Sequence, residues 1–126
     1  MVSIIDWFAP DGRKLSFHAL SHPSDWYSVS GVYMFCRIEA PSTYIPIYIG
    51  KAVSLKDRLP LHEQWNPAVR KGASIVLAAV VRFEQDRCDF EENLIREFQP
   101  ELNVHHKERM GMIGFSLSDI SRFNLK

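Results

Sequence analysis

Little in this chain assigns it at once to a specialised class. Among 126 residues there are two cysteines, Cys36 and Cys88, whose isolated positions match neither a metal-ligand spacing nor a disulfide framework. Two reduced, packed thiols are the expectation. No apolar run reaches the ~18 residues that a membrane span requires, and Asp6 and Asp11 interrupt the N-terminal segment. The default is therefore a cytoplasmic protein with no membrane association. No internal repeat or low-complexity tract appears. Net charge is missing too: 15 basic and 15 acidic residues sum to +0, so bulk charge gives no support to nucleic-acid binding, which often shows as a strongly basic domain.

What is present is an ordinary globular composition, 46% hydrophobic and 24% charged. The length suits one domain with a real core and is too short for two, so residues 1–126 are read as a single unit. The charge is unevenly spread. Lys51, Lys56, Arg58, Arg70 and Lys71 are opposed only by Asp57 and Glu63, whereas positions 84–101 carry seven carboxylates against Arg87 and Arg96.

Residues 1–30 mix apolar anchors (Trp7, Phe8, Phe17, Trp26, Tyr27) with turn formers (Pro10, Gly12, Pro23), which reads as an irregular arm packed on the domain. Val32 to Ile38 and Tyr44 to Ile49 are rich in β-branched and aromatic residues around a Pro41-Ser42 turn, predicting a hairpin. Pro46 has no N–H for the ladder, so it belongs at an edge, at a bulge or just outside the pairing. A turn centred near Ala40 and Pro41 brings Tyr33 close to Tyr48 on one sheet face and puts Ile45, Ile47 and Ile49 on the other, as core.

Ser54 is a candidate N-cap for a short helix to Leu59, broken at Pro60 and resuming through Leu61 to Trp65. Another helical turn follows Asn66-Pro67 and runs to Lys71. The unbroken apolar run Ile75 to Val81 predicts a central strand buried on both faces. From Arg87 to Gln99 the pattern is helical and stops before Pro100. At about 100° per residue, Glu91 falls within the sector of Phe90, Leu94, Phe98 and Ile95, and Glu92 points to water. An acid in an apolar sector is costly to bury unless it is paired or holds a metal. Ser116 to Asp119 predicts the cap of a short terminal helix.

Gly31-Val32-Tyr33 and Tyr48-Ile49-Gly50-Lys51, followed by Leu55-x-x-Arg58-x-x-x-His62, Glu91-x-x-Leu94-Ile95 and Pro100-x-x-Asn103, resemble in order and spacing the GIY-YIG nuclease family. The matching stretch is 31–103, with an arm at 1–30 and an extension at 104–126. The resemblance implies an α+β fold, a small three-stranded antiparallel sheet flanked by helices, with the active site at its exposed face. It implies a metal-dependent endonuclease that hydrolyses DNA with one divalent ion, Mg²⁺ or Mn²⁺. Family members often draw specificity from an added DNA-binding domain, for which this chain has no room. Substrate choice is then expected from the arm, the 60–72 loop, the C-terminal segment, a partner protein or a homo-oligomer.

The resemblance also implies residue roles. Tyr33 would assist deprotonation of the attacking water; only about one free phenol in a thousand is ionised at neutral pH, and Lys51 could lower that pKa as a nearby cation. Tyr48 would contact or orient the scissile phosphate. Arg58 offers paired donors to two phosphate oxygens. His62 would bind phosphate or shuttle a proton, if Pro60 leaves it on the helix face of Arg58. Glu91 would be the metal ligand. Gly31, Gly50 and Asn103 would give structural support, and Lys51, Lys56, Arg58, Arg70 and Lys71 would meet DNA phosphates, with Trp65 beside them. His105 and His106 are adjacent, and adjacent side chains of a strand point to opposite faces, so a loop without a ligand role is preferred. The competing class is a non-catalytic nucleic-acid-binding or interaction module that keeps the fold, with metal-independent RNA binding as a third reading.

Overall fold

The structure, a computed structural model, describes residues 3–20, 26, 28–39 and 43–103. Five strands form one antiparallel sheet in the order β1-β2-β5-β3-β4: β1 Ser3–Phe8, β2 Lys14–Leu20, β3 Gly31–Glu39, β4 Thr43–Ala52 and β5 Ile75–Val80. The helices are α1 Leu55–Arg58, α2 Trp65–Arg70 and α3 Glu84–Phe98, with a 3₁₀ turn at Glu101–Asn103. This is an α+β fold. No helix among the described residues is long and apolar enough to cross a membrane. The expected terminal helix, His105 and His106 lie outside the described residues.

The sheet has five strands where three were expected, because the arm is not irregular. Leu15, Phe17 and Ala19 are buried on alternate positions of β2, the period of a half-buried strand. Asp11-Gly12, with Gly12 at φ 94°, turns the chain from β1 into β2. Strand β2 then pairs with β5 from His18↔Ala78 to Leu20↔Val76, so β5 is the middle strand of the sheet, as its apolar run predicts.

The hairpin of β3 and β4 has a different register from the one expected. Tyr33 pairs with Gly50 and Phe35 with Tyr48, then the register shifts so that Cys36 meets Pro46. Ile47 is the extra residue of this bulge, which accommodates a proline in a paired strand. Tyr33 and Tyr48 still share a face as diagonal neighbours, with ring centroids 6.3 Å apart. The bulge breaks the period of two, so Ile47 joins the tyrosine side and only Ile49 of the three isoleucines is buried in the opposite core.

The sheet separates two cores. On one side Phe90, Leu94 and Ile95 of α3 pack on Phe17, Val32, Met34, Ile49 and Leu77. On the other, Leu55, Leu59 and Ala68 cover Tyr33, Phe35, Val76 and Ala78. Helix α3 begins three residues earlier than predicted and ends at Phe98, capped by Gln99, which is left-handed at φ 47°. The N-terminal hairpin holds this helix. Trp7 meets Phe90 edge-on and donates through Nε1 to Glu97 at 3.0 Å, while Arg13 pairs with Asp86 and Asp89 and lies over the Phe90 ring.

Candidate active site

The site is built on the tyrosine side of the β3–β4 hairpin, where α1 and the following turn close over it, so the sheet face is not open as expected. Ser54 caps α1, its hydroxyl accepting from the Asp57 N–H at 3.3 Å. Pro60 ends the helix, and turns replace the predicted resumption at 61–64. Arg58 and His62 therefore do not share a helix face. The turn instead folds His62 back onto the sheet, where it is 5% exposed.

His62 is enclosed by aromatic edges and faces, with ring centroids 5.0 Å from Phe35, 5.2 Å from Tyr48 and 5.4 Å from Tyr33. Its Nε2 lies 2.7 Å from the Tyr33 hydroxyl, and its Nδ1 accepts the Gln64 backbone N–H at 3.0 Å. Burial, with the Arg58 charge added, lowers its pKa to about 4, so the ring is neutral at pH 7. A neutral imidazole whose Nδ1 accepts carries its proton on Nε2. His62 therefore donates to Tyr33, and the proton of Tyr33 points elsewhere.

Burial pushes the Tyr33 phenol far above its ordinary pKa; Tyr48 and Glu91 act in the same direction and Arg58 against it. Lys51 was expected to be the cation acting on Tyr33, but the charge that does so is Arg58. Lys51 acts on Glu91. Tyr48 is half-buried, and burial followed by Glu91 raises its pKa as well.

Glu91 is half-buried while Glu92 is exposed, as the helical wheel requires. Burial pushes the Glu91 carboxyl up to about 7, and Lys51 pulls it down. Among the described residues Glu91 has no hydrogen-bond or ion-pair partner, and no three ligating side chains converge. One unpartnered, half-buried carboxylate fits a hard cation that keeps most of its waters, as Mg²⁺ does.

Arg58 is engaged elsewhere. Both terminal nitrogens donate to Glu63, Nη1 to Oε1 and Nη2 to Oε2, each at 2.9 Å. A groove lined by Ala52, Val53, Ser54 and Asp57 opens beside it. Lys51 and Lys56 are exposed on β4 and α1. Arg70 and Lys71 are not brought to the site: Gly72 abuts Arg37 toward the far end of β3, and Lys71 pairs with Glu101. Trp65 meets Phe35 edge-on at 5.1 Å and belongs to the core under α2. Sequence reasoning missed Glu63, although it is one of only two carboxylates in the basic segment, and it missed Phe35 as a wall of the His62 cage.

Asn103 ties the end of the chain's described part to β4, its side chain accepting from the Ile49 N–H and donating to the Ile49 carbonyl, both at 2.9 Å. Gly31 lets β5 approach, since a Cβ there would lie 2.2 Å from the Ala79 oxygen.

No family model matches the chain, and no curated protein matches it by sequence. Solved structures do. The GIY-YIG N-terminal endonuclease domain of UvrC from Thermotoga maritima, bound to its catalytic divalent cation, magnesium, is 34% identical, covering 62% of this chain and 86% of that one with a TM-score of 0.50. The chain belongs to the GIY-YIG nuclease family. Two point mutants of the same domain, each with its divalent cation, are 32% and 31% identical over the same shares, with TM-scores of 0.49.

Proposed function

We propose that this protein is a metal-dependent endonuclease that hydrolyses DNA phosphodiester bonds, with Tyr33, Tyr48, Lys51, Arg58, His62 and Glu91 as its working residues. The observation that carries the reading is the unpartnered, half-buried Glu91, whose charge is felt by both phenols. When bound at Glu91, Mg²⁺ or Mn²⁺ supplies positive charge for the phosphate and the leaving oxygen. Lys51 favours the ionised carboxylate needed there.

The chain's own residues handle the nucleophile. The Gln64 N–H fixes the His62 tautomer, and His62 Nε2–H then donates to the Tyr33 oxygen. That bond turns the Tyr33 O–H away from the imidazole, toward Tyr48, whose pKa it lowers, and toward a phosphate oxygen bound there. As the Tyr33 proton passes to that phosphate oxygen, the same bond and the Arg58 charge stabilise the developing phenolate. In that form Tyr33 takes the proton of the attacking water. Tyr48 orients the phosphate, and the Arg58 fork binds two of its oxygens.

The test is cleavage of supercoiled, linear and branched DNA with Mg²⁺, Mn²⁺ or EDTA, alongside Glu91→Ala and Arg58→Ala. Cutting in Mg²⁺ or Mn²⁺ that EDTA and both substitutions abolish is expected. Metal-independent cutting, or full activity in either variant, would overturn the mechanism; DNA retention without cutting would favour a binding module.

A further inference from the structure

We propose that the Glu63 carboxylate is a resident competitor for the phosphate site, and that a substrate phosphodiester binds by displacing it from Arg58. The proposal rests on the nuclease reading for the phosphate-binding role of Arg58 and for DNA as the phosphodiester. A planar guanidinium holding two oxygens through two parallel N–H···O bonds is the geometry in which arginine takes either a carboxylate or a phosphate. Glu63 fills both donors. Among the described residues, Arg58 is the arginine whose charge reaches Tyr33, Tyr48 and His62.

The backbone beneath Glu63 is fixed on both sides. His62 N–H donates to the Leu59 carbonyl, Trp65 N–H donates to the His62 carbonyl, and Gln64 N–H is held by the His62 ring. The Glu63 side chain itself is 64% exposed. Exchange therefore needs only rotation of that side chain, with no movement of the loop. An exposed pair is weak, so Glu63 acts as a threshold and not as a block. A polymer that engages Lys51 and Lys56 at the same time overcomes the threshold with its neighbouring phosphates. An isolated phosphate monoanion must do so alone. Glu63 thus favours a polyanionic strand over small phosphate compounds.

The test uses Glu63→Gln, which keeps the shape and removes the charge, with Glu63→Ala beside it. Diethyl phosphate is titrated while the Arg58 side-chain N–H resonance is followed by ¹⁵N NMR. Half-saturation in both variants at about two- to five-fold lower concentration than in wild type is expected, the range an exposed ion pair allows. In cleavage assays KM falls by a similar factor, more for a short oligonucleotide than for a long duplex, and kcat does not fall. Unchanged diethyl phosphate binding overturns the proposal. So does a drop in kcat with KM unaltered, which would make Glu63 a residue that positions Arg58. If wild type cuts no DNA, the nuclease reading fails, while the diethyl phosphate titration still decides the role of Glu63.

Discussion

The Tyr33 ring lies across Gly50, its partner on β4, so closely that a Cβ at Gly50 would stand 2.5 Å from the phenolic oxygen and 2.7 Å from Cζ. The glycine of the second motif exists for the tyrosine of the first. Gly50→Ala must push the phenol away from His62 Nε2. A loss of roughly 1–3 kcal/mol in stability is expected, as for overpacking elsewhere. Cleavage should fall by about 10²-fold, because small displacements of reacting groups carry that cost. Denaturant melts and single-turnover assays check both; an alanine variant with wild-type activity would mean that the ring position is not critical.

His62 should titrate near pH 4 and carry its proton on Nε2 at neutral pH. Long-range ¹H–¹⁵N NMR distinguishes the tautomers, and a proton on Nδ1 would reverse the donor assignment. The linkage has a definite sign. The folded pKa is depressed below the usual 6.5, so the unfolded chain binds more protons between those values. The contribution of His62 to stability is fully present above about pH 6.5 and is lost as pH falls toward about 4.

Glu91 sits where a carboxylate is expensive without a cation. At pH 8 with EDTA, Glu91→Gln should be more stable than wild type, by about 1–2 kcal/mol if it sheds part of a desolvation cost. Mg²⁺ should raise the melting temperature of wild type and leave that of the variant unchanged. Thermal melts in EDTA and in Mg²⁺ provide the comparison. Equal shifts in both proteins would place the cation elsewhere.

Asn103 satisfies one residue of the outer edge of β4 as another strand would. Asn103→Ala removes two buried hydrogen bonds and leaves the Ile49 N–H and carbonyl unpaired. The expected loss is about 1–3 kcal/mol, with faster exchange of the Ile49 amide by hydrogen–deuterium NMR. Unchanged protection of that amide would show that water replaces the side chain without penalty.

Elements fixed by local pattern were legible in the sequence. The apolar run of β5, the Ser54 cap and the outward turn of Glu92 from Glu91 follow from periodicity and capping alone. Two features needed more. The β1–β2 hairpin carried its own signal, Asp11-Gly12 between alternating strands, but the surrounding aromatics and prolines obscured it. The bulge at Ile47 was foreshadowed by Pro46, yet which way a bulge shifts a register depends on the partner strand. At the site, Tyr33 and Tyr48 were expected to share a face. The burial of His62 was not legible, because it depends on how the turn after Pro60 closes onto Phe35. The Arg58–Glu63 pair was hidden for the same reason: contacts made by a turn have no period.

The family signature and the folding unit that carries it have different boundaries. The motifs run from Gly31 to Asn103, but the helix that presents Glu91 is fastened by Trp7 and Arg13, both outside that span. Trimming the protein to its signature would keep every residue assigned to chemistry and remove the anchor that aims one of them. In this chain the family motif borrows its rigidity from a stretch in which no motif can be read.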